Sequence, residues 1–170
     1  MSMVMAIDAS TKSTGIAIFD GQELVHYECI TSAKPDTLAR IKLMASKIKE
    51  VHDRYKVTEV IMEDVIPEDI HHNDSVYTAL KYLQAAVVLS LHDVGQSVNF
   101  YVSSEWRKKC GIRTGRGIKR EVVKASDIAF VKSNYNLDVN DDIADAICIG
   151  WAYTHDTPLV TADDGGFDFR

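Results

Sequence analysis

Apolar positions along the chain come first in short unbroken runs and then at helical spacing. Val4 to Asp8 is an apolar run closed by an acid, the polar turn STKSTG follows, and Ile16 to Phe19 is apolar again. Asp20-Gly21 signals a tight hairpin, because glycine accepts the positive φ that such turns demand. Leu24 to Ile30 then reads as a third strand. Three short strands with tight links predict an antiparallel meander.

From Asp36 to Tyr55 the period changes. Leu38, Ile41, Met44, Ile48, Val51 and Tyr55 recur every three or four residues, which predicts an amphipathic helix facing a core. Val57 to Met62 is a β-branched run ending at Glu63-Asp64, hence a buried strand, and Pro67 breaks it. Asn73 or Asp74 can cap a long helix through His92, with Val76, Leu80, Leu83, Val87 and Leu91 on one stripe. Ala85, Ala86, Val88 and Leu89 fill its other faces, which suggests burial on two sides, as at a subunit interface. Val98 to Val102 is a fifth strand, and Ser104 is placed to cap a short helix through Lys109. Helices are expected from Lys119 to Ser133 and from about Asn140, the latter turning Ile143, Ala146, Ile147 and Gly150 to the core.

The order βββαβαβααα predicts an α/β fold: a five-stranded mixed sheet flanked by helices, strands one to three antiparallel and strands four and five parallel. Neither a repeat nor an interdomain linker interrupts it, so residues 1–155 are expected to form one domain. Residues 156–170 lack periodicity, include ADDGGFD and are expected to be an acidic, mobile tail.

Composition narrows the class. With 170 residues, 46% of them hydrophobic, and only 9 Gly and 3 Pro, the chain is neither disordered nor collagen-like. Cys29, Cys110 and Cys148 are odd in number and widely spaced, which fits a reducing compartment rather than a disulfide framework. No apolar run reaches the ~18–20 residues of a membrane span, and the first residues lack a secretory pattern. A cytoplasmic protein, bacterial or in a phage-infected host, is expected.

The formal charge of −6 is unevenly placed. Arg107, Lys108, Lys109, Arg113, Arg116, Lys119, Arg120 and Lys124 face only Glu121, so this stretch carries +7 and the rest of the chain −13. A second basic group of seven Lys and Arg lies between Lys34 and Lys56. Such a run is a solvated face or a landing strip for an anionic polymer.

Four acids hold positions that suggest chemistry. Asp8 ends strand one, Glu63 ends strand four, and Asp142 and Asp145 are three apart near the start of the last helix, so they share a face. Strands one and four, if parallel, present their ends side by side at the edge where α/β folds bind ligands. Each acid alone has a plainer reading: Asp8 as a turn cap, Glu63 as a surface acid beside an equivalent Asp64, and Asp141 and Asp142 as dipole-favoured residues. Asp145, between Ala144 and Ala146, does not. Four converging carboxylates repel unless a cation neutralises them. All-oxygen donors suit Mg²⁺ or Mn²⁺, and two such ions ~3.5–4 Å apart catalyse phosphodiester hydrolysis.

The segments AIDASTKSTGIAIFD with Asp8, VIMEDV with Glu63 and DDIADA with Asp142 and Asp145, in this order and at this length, resemble the RuvC-type Holliday-junction resolvases, especially their short phage versions. CGI before a Gly/Arg loop and Lys119 resembles that family's DNA-facing region. The resemblance covers roughly residues 3 to 153. It implies a ribonuclease H-like fold and a homodimer, with the helix 73–92 at its interface. It also implies hydrolysis of a four-way junction by paired symmetric nicks, with two Mg²⁺ or Mn²⁺ per site. Asp8 would bridge the metals, Glu63 and Asp145 would complete the set, Asp142 would hold a metal or orient water, and Lys119 would lie near the scissile phosphate. The family's Gly-rich turn is replaced here by Ala9-Ser10-Thr11-Lys12-Ser13. Ser10, Thr11 and Lys12 are therefore candidate phosphate contacts, alongside Arg113, Arg116, Lys119, Arg120 and Lys124. The extra Asp141 leaves the choice within the acidic pair open.

Several features stand outside this reading. His71-His72 lacks metal-ligand spacing. Trp106 is either a base-stacking platform or a core anchor, and Tyr77 and Tyr82 suit an interface or core. Cys110 has basic neighbours but lacks a nucleophile's partners. The competing functions are a ribonuclease H-like nuclease for flaps, other branched DNA or RNA–DNA hybrids, and a non-catalytic junction-binding scaffold. An actin-like ATPase would need a second lobe that 170 residues cannot supply.

Overall fold

A hydrophobic run that alternates its side chains between two faces is buried on both only if helices cover both, and this chain supplies them. The computed structural model describes residues 2–67 and 74–156. Its strands are β1 (Met3–Asp8), β2 (Ser13–Asp20), β3 (Glu23–Thr31), β4 (Glu59–Glu63) and β5 (Val98–Tyr101). Its helices are α1 (Thr37–Tyr55), α2 (Asp74–His92), α3 (Ser103–Lys109), α4 (Arg120–Tyr135) and α5 (Asp141–Asp156). The sheet order is β3-β2-β1-β4-β5, antiparallel from β3 to β1 and parallel from β1 to β5. The mixed sheet and element order expected from the sequence are therefore present. The expectations for Asn73, His71-His72 and the tail beyond Asp156 lie outside the described residues.

Met5, Ile7, Ile16, Ile18 and Met62 pack under α1 and α2 with Ile41, Met44, Ile48, Leu83, Val87 and Leu91. Their neighbours Val4, Ala6, Ala17, Phe19 and Ile61 point the other way, into α3, α4 and α5 with Trp106, Val131, Ala146 and Ile147. The period of two in β1 thus distributes one strand between two cores.

Local chemistry sets several boundaries. Asp36 caps α1 by accepting the Ala39 N–H at 2.7 Å. Gly21 takes φ +58° in the predicted hairpin. Asn140 caps α5, its side-chain oxygen accepting the Ile143 N–H at 2.9 Å. Two expectations need correction. The short helix α3 starts from Val102 without a side-chain cap, not from Ser104. Val76 does not belong to the buried stripe of α2 but is 42% exposed. The outer face of α2 also leaves Tyr82 and Leu89 at 58% and 66% exposed.

Candidate active site

The parallel pairing of β1 and β4 places Ile7 opposite Met62, so Asp8 and Glu63 follow level with each other on adjacent strands. By alternation both share the face of Ala6 and Ile61, the face covered by α3 and α5. Asp64 turns to the opposite face, where Lys81 of α2 holds it at 2.9 Å. The two adjacent acids therefore face opposite sides of the sheet. Gln84 of α2 secures the strand end by donating to the Glu63 carbonyl at 3.0 Å.

The first turn of α5 approaches the same edge. Gly15 pairs with Asp8 across β1 and β2, and a side chain there would collide with the backbone carbonyl of Asp142. Glycine at this position lets the helix rest directly on the strand. At the middle of α5, Gly150 does the same against Phe19 and Ala6. Asp142 accepts a hydrogen bond from the Ser13 hydroxyl, while Asp141 turns outward to an ion pair with Lys124. The acidic pair is thus divided: Asp142 faces the strand edge and Asp141 is neutralised by a lysine.

The electrostatics show convergence. The Asp8 carboxyl is pushed well above the ordinary carboxylate range, first by loss of water and then by Glu63 and Asp142, with Lys124 and Arg107 opposing. Asp145, 7% exposed, is pushed up to about 10 by burial and then by Asp8 and Asp127. The Lys124 ammonium holds Asp141 below its usual range. These proton affinities are the response of carboxylates packed together in a poorly solvated place.

Two residues of α3 reach into this group. The Trp106 indole N–H donates to Glu63 Oε2 at 2.8 Å. The Arg107 guanidinium donates to Asp145 Oδ2 at 3.2 Å and grips Asp127 with two nitrogens at 3.0 and 3.1 Å. Asp127 is fully buried. The guanidinium also lies over the Trp106 ring, 4.1 Å from its centroid. Asp145 Oδ1 is buried and makes no hydrogen bond.

The donor set, all carboxylate oxygen with one buried oxygen left bare, fits a hard divalent cation. Among the described residues, however, no three His, Cys, Asp or Glu side chains are gathered into a ready-made coordination set. Asp8, Glu63, Asp142 and Asp145 are the residues that would hold such an ion.

The candidate nucleic-acid residues form a different population. Arg113, Arg116, Lys119 and Arg120 are exposed on the loop before α4 and at its start, Lys119 being its N-cap residue. Lys12 is exposed in the β1–β2 turn, next to half-buried Ser10 and Thr11. Ser10 is tied down, its N–H bonding to Thr14 Oγ1 at 3.1 Å and its carbonyl accepting from that hydroxyl at 2.7 Å. Lys124 is engaged by Asp141. Trp106 is fully buried, which removes it as a base-stacking platform. Cys110 donates towards the Cys148 carbonyl at 3.5 Å.

Sequence reasoning missed the roles of Trp106, Arg107, Asp127, Ser13 and Gly15. Asp127 had a readable signal: like Asp145, it is an acid inside an apolar helical stretch, Asp127-Ile-Ala-Phe130.

Sheet order, helix placement and the acidic edge define the class: a ribonuclease H-like domain in the arrangement of the Holliday-junction resolvases. RuvC from T. thermophilus, solved in complex with Holliday junction substrate, superposes with a TM-score of 0.69, covering 89% of this chain and 92% of that one at 17% identity. The yeast mitochondrial resolvase Ydc2 gives 0.61, with 90% and 78% covered at 13% identity. The Fowlpox virus resolvase, solved with its junction DNA, gives 0.56, with 90% and 97% covered at 15% identity. Within that class the chain belongs to the family DUF3882, Lactococcus phage M3 protein, whose model matches residues 1–155. A comparison with curated proteins finds no match. Among the described residues no helix is long and apolar enough to cross a membrane.

Proposed function

We propose that this protein is a metal-dependent endonuclease that resolves four-way DNA junctions as a homodimer. The observation that carries the reading is the convergence of Asp8, Glu63, Asp142 and Asp145, from three distant segments, on the edge where β1 and β4 end. Likeness of fold to junction resolvases, two of them solved with Holliday junction DNA, supports the choice of DNA class.

When bound, two Mg²⁺ or Mn²⁺ ions would supply an activated water and neutralise charge at the scissile phosphate. Asp8, whose carboxyl feels both Glu63 and Asp142, would be shared by the ions as a ligand. Glu63 and Asp145 would complete the ligand set. Asp142, oriented by Ser13, holds an ion or orients the attacking water. Lys119 stands near the scissile phosphate. Ser10, Thr11, Lys12, Arg113, Arg116, Arg120 and Lys124 contact the backbone, where cationic and backbone donors give affinity without reading sequence. The unpartnered outer face of α2 is the dimer surface, and two sites related by its two-fold axis would nick opposing arms of a junction. Residues 1–155 form the nuclease domain, and 156–170 an appended acidic tail.

The test is cleavage of a labelled synthetic four-way junction in Mg²⁺ or Mn²⁺, beside duplex, flap and RNA–DNA hybrid substrates, with Asp145→Asn as the blank. Paired symmetric nicks confined to the junction and lost in the variant are expected. Cleavage of flaps or hybrids instead would move the substrate class. Tight junction binding without cleavage in either metal would make the protein a scaffold.

A further inference from the structure

We infer that α3 is a positioning element for the metal ligands, with Trp106 and Arg107 each holding one carboxylate of the site and buried Asp127 anchoring Arg107. The inference rests on the proposed metal-dependent reading and adds residues that touch neither ion nor DNA in it. Glu63 and Asp145 sit on different elements, β4 and α5. The seven residues of α3 reach both.

The geometry is specific. Trp106 is a donor only through Nε1, and that hydrogen goes to Glu63 Oε2. The indole is fully buried, so the bond direction is fixed by packing rather than by solvent. Arg107 cannot swing away, because its Nε and one Nη hold Asp127 and its plane rests on the indole. The same Nη2 that holds Asp127 also meets Asp145 Oδ2, and Asp145 Oδ1 is left bare. A carboxylate held by one oxygen and open at the other is a preorganised ligand. Outer residues of this kind typically govern metal affinity by about 10–100-fold.

Sign separates positioning from simple charge. Removing a positive group beside a cation site tightens cation binding by Coulomb's law alone. A positioning role predicts the reverse. Mn²⁺ binding to the intact chain is therefore measured by calorimetry in wild type, Trp106→Phe, Arg107→Lys and Arg107→Gln. Expected are roughly tenfold weaker binding in Trp106→Phe and Arg107→Gln and a smaller loss in Arg107→Lys. Affinity for junction DNA in chelator should be unchanged in all three. Trp106→Phe and Arg107→Lys keep the test available if Arg107→Gln, which strands buried Asp127, does not fold.

A second readout uses the indole itself. In a Trp151→Phe background Trp106 is the one tryptophan left. Its emission should change on adding diamagnetic Mg²⁺, with the midpoint that calorimetry gives for Mg²⁺. If wild type binds Mn²⁺ and the α3 variants bind it equally or more tightly, or if Trp106 emission ignores bound Mg²⁺, the positioning role is wrong. If wild type binds neither ion, the metal-dependent reading falls first, and α3 with it.

Discussion

A methyl group on Gly15 would come within 1.9 Å of the backbone carbonyl oxygen of Asp142. The strand residue facing Asp8 and the helix residue bearing a second acid are therefore in backbone contact, and any side chain between them separates the site.

Gly15→Ala forces α5 off β2, because the clash is with backbone and no rotamer relieves it. Overpacking of this kind costs about 1–3 kcal/mol. The larger loss is expected in cleavage, since Asp142 and Asp145 move with the helix. Gly150→Ala is the control: its clash, 2.2 Å from a ring carbon of Phe19, lies farther along α5 from the acids. Urea unfolding beside cleavage rates should show both variants destabilised, with Gly150→Ala retaining far more activity per folded molecule.

Asp145→Asn should abolish cleavage yet stabilise the metal-free protein. The wild-type carboxyl is 7% exposed and crowded by Asp8 and Asp127, so its charged form is disfavoured at neutral pH. A neutral amide avoids that cost, which we place at about 1–3 kcal/mol near pH 7. Chemical denaturation in chelator reads it directly; a variant less stable than wild type would contradict the crowding.

The same carboxyl sets a pH dependence. Its folded-state value is pushed up to about 10, against about 4 in an unfolded chain. Between these values the folded protein holds more protons than the unfolded one, so this contribution to stability falls as pH rises through the window. In chelator, the melting temperature should drop from about pH 5.5 to about pH 8.5, and the slope should flatten in Asp145→Asn. Mg²⁺ should counter the trend with growing effect at higher pH, because its ligands must lose their protons to bind.

Leu89→Glu on the outer face of α2 should produce a monomer by light scattering, with the fold intact, because Leu89 is 66% exposed in the single chain. A wild type that is itself monomeric at micromolar concentration would remove the proposed dimer surface.

Arg113→Ala with Arg116→Ala should weaken junction binding at every sequence and reduce its salt dependence. Each lost phosphate contact lowers the slope of log affinity against log salt by about 0.9. Metal affinity should not move, since both residues are exposed on the 111–117 loop.

The four acids stood out as candidates at or near element ends, and the meander and the helix period were legible because each depends on local sequence: alternation and 3.6-residue spacing. The choice of Asp142 over Asp141 was not, since it depends on Ser13 and Lys124, 129 and 17 residues away from their partners. Arg107 was legible only as one more basic residue in a basic run. Its partner Asp127 is 20 positions on, and only the fold that brings α3 beside α4 makes the pair. Trp106 could be read as a stacking platform or a core anchor, and it is buried, but a buried indole must also place its N–H, and that partner came from β4. The outer face of α2 shows the converse. Its apolar residues announced a second burial, and the single chain leaves Leu89 and Tyr82 uncovered.

The acids of the site are contributed by β1, β4 and α5, the last element in the described chain. During synthesis, Asp8 and Glu63 are therefore present long before Asp142 and Asp145. A ribosome-bound chain that has emerged only through α4 carries half of the carboxylates, with Arg107 already waiting for Asp145. The acidic edge is complete only when α5 docks on β1 and β2, where Gly15 of β2 and Gly150 of α5 let it seat. A fragment that stops before residue 141 lacks Asp142 and Asp145, and with them half of the proposed site.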